Sequence, residues 1–146
     1  MANQWDEFAD RFEKAQNDAS DERERQKDHE DFLSTHGYNS WNELARTVQE
    51  ACEHINSRRK GSEPYTFRRE SEHQFLVIAN VMRGQIRLQA TFSPKTKSIE
   101  WRLDGAAAVH GKLTPTRAGE KFMYQDEGGT PRAVSAAAQF LLEKTF

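Results

Sequence analysis

The sequence has very little cysteine: Cys52 is the only one among 146 residues. A single thiol cannot form an internal disulfide, and it excludes metal sites built from several cysteines. Cys52 also falls among the apolar positions of a predicted helix, where a thiol behaves as a small hydrophobic group rather than a nucleophile. Because such a chain suits a reducing compartment, we expect a cytoplasmic protein.

The sequence also lacks a long apolar run. Its longest apolar stretch, residues 75–82, is far short of the about 20 residues that a membrane-spanning helix needs. The N-terminus has neither the basic nor the apolar segment of a secretory signal. We therefore expect no membrane association.

The residue types that usually carry catalysis are scattered rather than grouped. No two histidines have the spacing that directs both rings at one metal ion, and the Gly-x-Ser-x-Gly motif of hydrolases is absent. Gly128 and Gly129 precede a predicted helix, as in phosphate-binding loops, but Asp126 and Glu127 before them would repel phosphate. We predict no catalytic residue, no metal site and no cofactor, which favours a non-enzymatic protein. The histidines are His29, His36, His54, His73 and His110.

Charged residues are abundant, at 30% of the chain, and they are unevenly distributed. Residues 1–35 hold eleven Asp or Glu and five Lys or Arg, for a net charge of −6. Residues 36–146 hold twelve and sixteen, for a net charge of +4. This asymmetry is typical of an acidic arm that contacts a partner, of an arm that docks on its own chain, or of a solvated helix.

A first helix is predicted over residues 4–33, because apolar residues recur there at steps of three and four. The charged run at residues 21–31 contains no apolar residue, so it is either a solvated continuation of this helix or a frayed link. Residues 36–39 predict a break. The apolar stripe of the first helix consists of Trp5, Phe8, Phe12, Ala15 and Ala19.

A second helix is predicted over residues 41–60. Ser40 and Glu43 have the spacing of a capping box, in which each side chain bonds the other residue's backbone N–H. Three basic residues complement the helix dipole in the last turn, and Gly61 can end the helix. These basic residues are Arg58, Arg59 and Lys60.

Beyond Pro64 the apolar period changes from 3.6 residues to 2, which predicts β-strands. The connections are too short for crossover helices, so neighbouring strands are expected to run antiparallel as a meander. A last helix is predicted over residues 131–144, with Thr130 as its cap and Pro131 in its first position. It is apolar around much of its circumference, so we expect it to pack on two sides. The predicted strands are 65–69, 75–82, 85–92, 98–103, 108–114 and 120–125.

These patterns predict an α+β fold with two N-terminal helices, a roughly six-stranded antiparallel meander and a C-terminal helix packed on the sheet. The length fits a single domain. Its parts are an acidic helical arm (1–35), a helix (36–60), the sheet (64–126) and the C-terminal helix (130–146). The predicted core consists of Trp41, Leu44, Val48, Phe67, Val77, Leu88, Phe92, Trp101, Val134 and Leu141.

The strand at residues 75–82 is apolar on both of its alternating sets. An antiparallel sheet with one wet face should alternate cleanly. One set consists of Phe75, Val77, Ala79 and Val81. The second set therefore requires cover from a helix, a second copy of the chain, a protein partner or an apolar ligand. The second set consists of Leu76, Ile78 and Met82.

We therefore predict a small interaction module without catalytic activity, whose partner is another protein or a second copy in a homodimer. One alternative is a small-molecule binder or enzyme with a pocket between sheet and helices. A second is nucleic-acid binding through a basic sheet face, which is disfavoured because the aromatic residues share the inward-facing set. No residue motif selects a family. The candidate interaction surface consists of Trp5, Phe8, Phe12, Leu76, Ile78, Met82, Arg87 and Arg102.

Overall fold

The computed structural model describes residues 4–59, 61–82, 84–105 and 108–146. The chain divides into two compact units, which meet in sequence between Phe32 and Leu33. The predicted α+β class is confirmed, and the prediction of a single domain stays a prediction. Neither helix of the described part has an apolar segment of the length that a bilayer crossing requires. The elements are α1 (Gln4–Ser57), β1 (Tyr65–Ser71), β2 (Gln74–Val81), β3 (Gly84–Phe92), β4 (Ile99–Asp104), β5 (Val109–Ala118), β6 (Lys121–Gln125), β7 (Pro131–Arg132) and α2 (Val134–Glu143).

The predicted division of the N-terminal region into two helices is wrong. Residues 36–39 belong to α1. Ser40, which was predicted to cap a second helix, lies in the middle of α1 and is buried in the protein. Gly37 allows a close approach instead of a break, since a Cβ there would lie 3.0 Å from Cγ and Cδ of Lys97. Burial against the rest of the second unit therefore overrides the local turn signal. Residues 21–31 are helical and exposed, as the solvated alternative requires.

The end of α1 also differs from the prediction, because the helix stops at Ser57 rather than at residue 60. Lys60 lies outside the described residues, and Gly61 adopts a left-handed conformation with φ of +83°. The Asn56 side chain holds the chain after the helix. Its Nδ2 donates to the Tyr65 carbonyl at 2.7 Å, and its Oδ1 accepts from the Tyr65 backbone N–H at 3.0 Å. These two bonds tie the end of α1 to the start of β1.

The seven strands lie in sequence order, and each pairs antiparallel with the next, so the predicted meander is confirmed with one more strand than expected. Register places Phe67, Val77, Leu88 and Leu103 side by side, and these residues define the inner face of the sheet. β5 is longer than predicted, because its first half pairs with β4 and its second half with β6. Arg83, part of a predicted turn, lies outside the described residues.

The predicted start of the last helix at Pro131 is wrong. Pro131 and Arg132 form β7 against the end of β6, and α2 begins only at Val134. Asp126 explains the difference. Its carboxylate accepts a bond from the Thr130 backbone N–H at 3.1 Å and pairs with the Arg132 guanidinium, and this pairing holds the pKa of Asp126 below its ordinary value. Both contacts keep the chain extended where a capped helix was expected.

The core lies between the inner face of the sheet and two helical segments, the C-terminal part of α1 and α2. Nine of the ten predicted core residues are buried, and Phe67 is half-buried. Trp41 of α1 stacks between Phe75 and Phe92, at centroid distances of 5.3 and 5.6 Å. Its indole Nε1 donates to the Glu72 carbonyl at 2.7 Å, which fixes the ring in this position.

Candidate interaction surface

The first unit presents three large aromatic side chains, which we call the aromatic face: Trp5, Phe8 and Phe12. Steps of three and four residues place them on one side of α1. Their exposed fractions are 65%, 58% and 60%, and the Trp5 and Phe8 rings meet edge-on at 6.1 Å. Every residue from 4 to 31 is exposed. Clustered exposed aromatic side chains on a protein surface are characteristic of a binding site.

The acidic residues of the first unit are concentrated away from the aromatic face. By the 3.6-residue period, Asp6, Asp10 and Glu13 lie on the opposite side of the helix. Farther along, Arg25 pairs with Glu22 through a Nη1–Oε2 distance of 3.9 Å. This helical segment is therefore amphipathic, with its apolar side in solvent.

The remaining candidate residues belong to the second unit, where most of them share the outer face of the sheet, opposite the helices. Ile78 pairs with Arg87, and Leu76 pairs with Arg68. Both aliphatic side chains are half-buried, and each has an arginine opposite it on the neighbouring strand, a side chain whose stem is apolar. Arg102 lies on the same face in β4. The second apolar set of β2 is thus partly covered by the sheet itself.

Met82 does not join this face. It lies one residue after the end of β2 and is fully exposed. Together with Ile55, Val81 and Phe146 it lines a groove of about 480 Å³ on the second unit.

The outer face of the sheet carries both signs of charge. Arg102 pairs with Asp104 through a Nη2–Oδ2 distance of 3.2 Å, and Glu100 lies directly opposite Lys112. No Phe, Tyr or Trp points to the outer face in the described residues of β2–β5. Sheets that bind RNA combine basic side chains with exposed aromatic rings for base stacking. In the described residues of β2–β5, this face therefore offers no aromatic stacking platform, and its basic side chains Arg87, Arg102 and Lys112 stand beside the carboxylates of Glu100 and Asp104.

One cleft in the second unit was missed by the sequence analysis. Gly111 of β5 pairs with Trp101, and a Cβ on this glycine would lie only 2.4 Å from Cζ2 of the indole. The ring therefore lies over the glycine backbone, at the edge of a cleft of about 430 Å³ that is also lined by His110, Lys112 and Glu127. A glycine inside a strand often marks such a close approach, and this is the signal that would have found it.

The chemistry of this cleft is mixed. Lysine, histidine and carboxylate side chains alternate around it, so their charges do not converge on one type of ligand. On the inner side, the Lys144 Nζ lies 5.5 Å from the Trp101 ring centroid and 4.4 Å from the Phe140 ring centroid. The Lys144 ammonium therefore makes cation–π contacts within the chain. Across the described chain, no three His, Cys, Asp or Glu side chains form a metal-binding group.

Cys52 is buried in the core, as the sequence predicted. Burial, with a smaller contribution from the negative charge of Glu53, raises the pKa of the thiol to about 11. The thiol is therefore protonated at neutral pH, whereas nucleophilic chemistry requires the thiolate.

Tyr124 is fully buried, and no described residue hydrogen-bonds to its hydroxyl. Burial and the charge of Glu43 raise the pKa of this phenol. We expect Tyr124→Phe to raise the free energy of unfolding by about 1 kcal/mol, because an unpartnered hydroxyl loses its water on folding. Urea denaturation followed by circular dichroism measures the change.

Tyr65→Phe is the matched control for this prediction. The Tyr65 hydroxyl is also buried, but it hydrogen-bonds to Thr145 Oγ1 at 2.7 Å. We expect its removal to lower the free energy of unfolding by about 1 kcal/mol. Equal losses in the two variants would mean that the Tyr124 hydroxyl has a partner in solution.

Between the helices and the sheet, Trp41, Phe75 and Phe92 form a stack. An open groove of about 240 Å³ lies between α1 and α2. The aromatic face exposes more large apolar side chains than this groove does, because it contains three of the seven exposed large hydrophobic residues in the described chain. Comparisons with protein-family models, curated proteins and solved structures gave no match, so these surfaces are interpreted from their own chemistry.

Proposed function

We propose that the protein is a non-enzymatic interaction module that binds a protein partner through the aromatic face of α1. The observation that carries this proposal is the exposure of Trp5, Phe8 and Phe12 at 65%, 58% and 60% on one side of a helix. Their spacing of i, i+3 and i+7 is the one with which a helix presents anchor residues to another protein.

The energetic reason is the cost of leaving these rings in water. Burial of one Phe side chain is worth about 1.5–3 kcal/mol, and three adjacent rings are exposed here. Tryptophan and other aromatic residues dominate the binding energy of protein interfaces for this reason. Most of the stability of helices in proteins also comes from packing of an apolar face rather than from intrinsic propensity. A partner that covers the aromatic face would therefore stabilise both the rings and the helix.

Site-specific photo-crosslinking tests the proposal. A benzophenone amino acid would replace Phe8 or Phe12 in the full chain, and the cells that produce it would be irradiated. We expect covalent adducts with a protein from both positions, because a bound partner lies within a few ångströms of these rings. Mass spectrometry identifies the adduct.

The matched control places the same amino acid at Asp10, which lies between the two test positions in sequence but on the opposite side of the helix. We expect few or no adducts from Asp10. Equal yields from Asp10 and Phe8, or no adduct from Phe8 and Phe12, would contradict the proposed function.

A further inference from the structure

We infer that the partner is a second copy of this chain, and that residues 4–31 of two copies form a parallel two-stranded coiled coil. This inference rests on the proposed function, since it identifies what covers the aromatic face. Its support is the distribution of apolar and charged residues around the exposed helix.

The aromatic face follows the heptad repeat of a coiled coil. With Trp5 at position a, Phe8 falls at d and Phe12 at the next a, and the series continues with Ala15 at d and Ala19 at a. Each of these residues lies in a helix that is exposed along residues 4–31. Two such helices would bury their apolar stripes against each other.

The residues beside this stripe are complementary in a parallel pair, in which position g of one helix faces position e of the next heptad on the other helix. Asp18 at g then faces Arg23 of the copy at e. Arg25 at g likewise faces Glu30 of the copy at e. Two-fold symmetry repeats each contact. The other g–e pairs within residues 4–31 contain no like charges; they are Gln4 with Ala9 and Arg11 with Gln16.

The position of the apolar residues also selects the parallel direction. They occupy residues 5–19, whereas residues 21–31 contain none. An antiparallel pair that overlaps along its full length would place the aromatic rings against this charged run. A shorter antiparallel overlap could bring Phe8 against Phe12 of the copy. In an antiparallel pair, however, position g of one helix faces position g of the other, so Arg11 would lie against Arg11 of the copy. Only the parallel pair brings rings against rings and also places opposite charges together at its g and e positions.

The second half of the repeat has polar residues at its core positions, namely Glu22 at d, Gln26 at a and His29 at d. Polar core residues weaken a coiled coil but specify its register. Arg25 contacts Glu22 within the same helix at 3.9 Å, which partly neutralises that carboxylate. The aromatic end would thus supply the affinity, and the polar end would fix the alignment.

Sedimentation equilibrium of the full chain tests the inference. We expect a concentration-dependent mass that approaches twice the 16.9 kDa of one chain. Asp18→Arg and Arg23→Asp each create like-charge contacts with the copy, and we expect each to weaken dimerisation by roughly tenfold. The double variant Asp18→Arg/Arg23→Asp restores opposite charges, and we expect it to recover the wild-type dissociation constant.

Asp21→Arg and Lys27→Asp are the matched controls, because they make similar changes in charge at outward positions c and b. We expect dissociation constants close to the wild-type value. A full chain that remains at the mass of one copy overturns the inference, as does failure of the double variant to recover dimerisation. A single-copy mass together with a Phe8 crosslink to a different protein overturns self-association and leaves the proposed function supported.

Discussion

Replacing Trp41 with alanine is expected to lower the free energy of unfolding by about 3–5 kcal/mol, the range for deleting a buried aromatic side chain. The indole is completely buried and stacks on both Phe75 and Phe92. The Arg69 guanidinium lies over the indole, with its Cζ 5.4 Å from the ring centroid, and the indole N–H donates a hydrogen bond to the Glu72 carbonyl. Alanine would leave a cavity between α1 and the sheet, and guanidinium denaturation would measure the loss.

Trp41→Phe separates the stacking from the hydrogen bond. Phenylalanine keeps an aromatic ring between its two neighbours, but it cannot donate to the Glu72 carbonyl. We expect a loss of about 1–3 kcal/mol, from the smaller ring and the unpaired carbonyl. A loss below about 1 kcal/mol for Trp41→Ala would contradict the central position of this residue, because full burial of a large side chain implies a larger cost.

Gly111→Ala is expected to lower the free energy of unfolding by about 1–3 kcal/mol, the usual cost of overpacking. In an ordinary strand, alanine would instead be more favourable than glycine by about 0.5–1 kcal/mol. The sign is reversed here because the new Cβ would lie 2.4 Å from Cζ2 and 2.7 Å from Nε1 of Trp101. The indole has little freedom to move, since it also contacts Phe140 and Lys144.

A double-mutant cycle with Trp101→Leu tests this cause. A leucine side chain does not extend over β5, so Gly111→Ala should be neutral or stabilising in that background. We expect a coupling energy of at least about 1 kcal/mol between the two sites, measured by urea denaturation of the four proteins. The same cost for Gly111→Ala in both backgrounds would show that the strain does not come from the indole.

The sequence was sufficient for six of the seven strands, because alternation of apolar and polar residues is a local pattern that the strand geometry imposes. Ile86, Leu88 and Ala90 illustrate this, since all three are buried on the inner face as their spacing predicted. The core was predictable for the same reason. The aromatic face was also readable, since its spacing requires only that the segment be helical.

Helix boundaries were not predictable from the sequence, because the capping signals at Ser40 and Thr130 compete with packing, ion-pair and strand-pairing contacts that a capping pattern does not include. Ser40 is buried inside α1, where packing of Trp41 on the sheet is worth more than a local cap. At Thr130 the ion pair between Asp126 and Arg132 and the pairing of β7 with β6 replace the predicted helix start. The free-energy differences between local conformational propensities are smaller than the stabilisation that these contacts provide.

By itself, the sequence determined the α+β class, the antiparallel meander and the apolar stripe of the first helix, since each follows from a periodicity along the chain. Only the tertiary structure decided that α1 is continuous through Gly37, where Lys97 packs in the space that a side chain would occupy. It also decided that Trp101 lies over Gly111. Gly37 and Lys97 are 60 residues apart, and Trp101 meets Gly111 only through the pairing of β4 with β5; a glycine in the sequence can signal a close approach, but it does not say which side chain makes it.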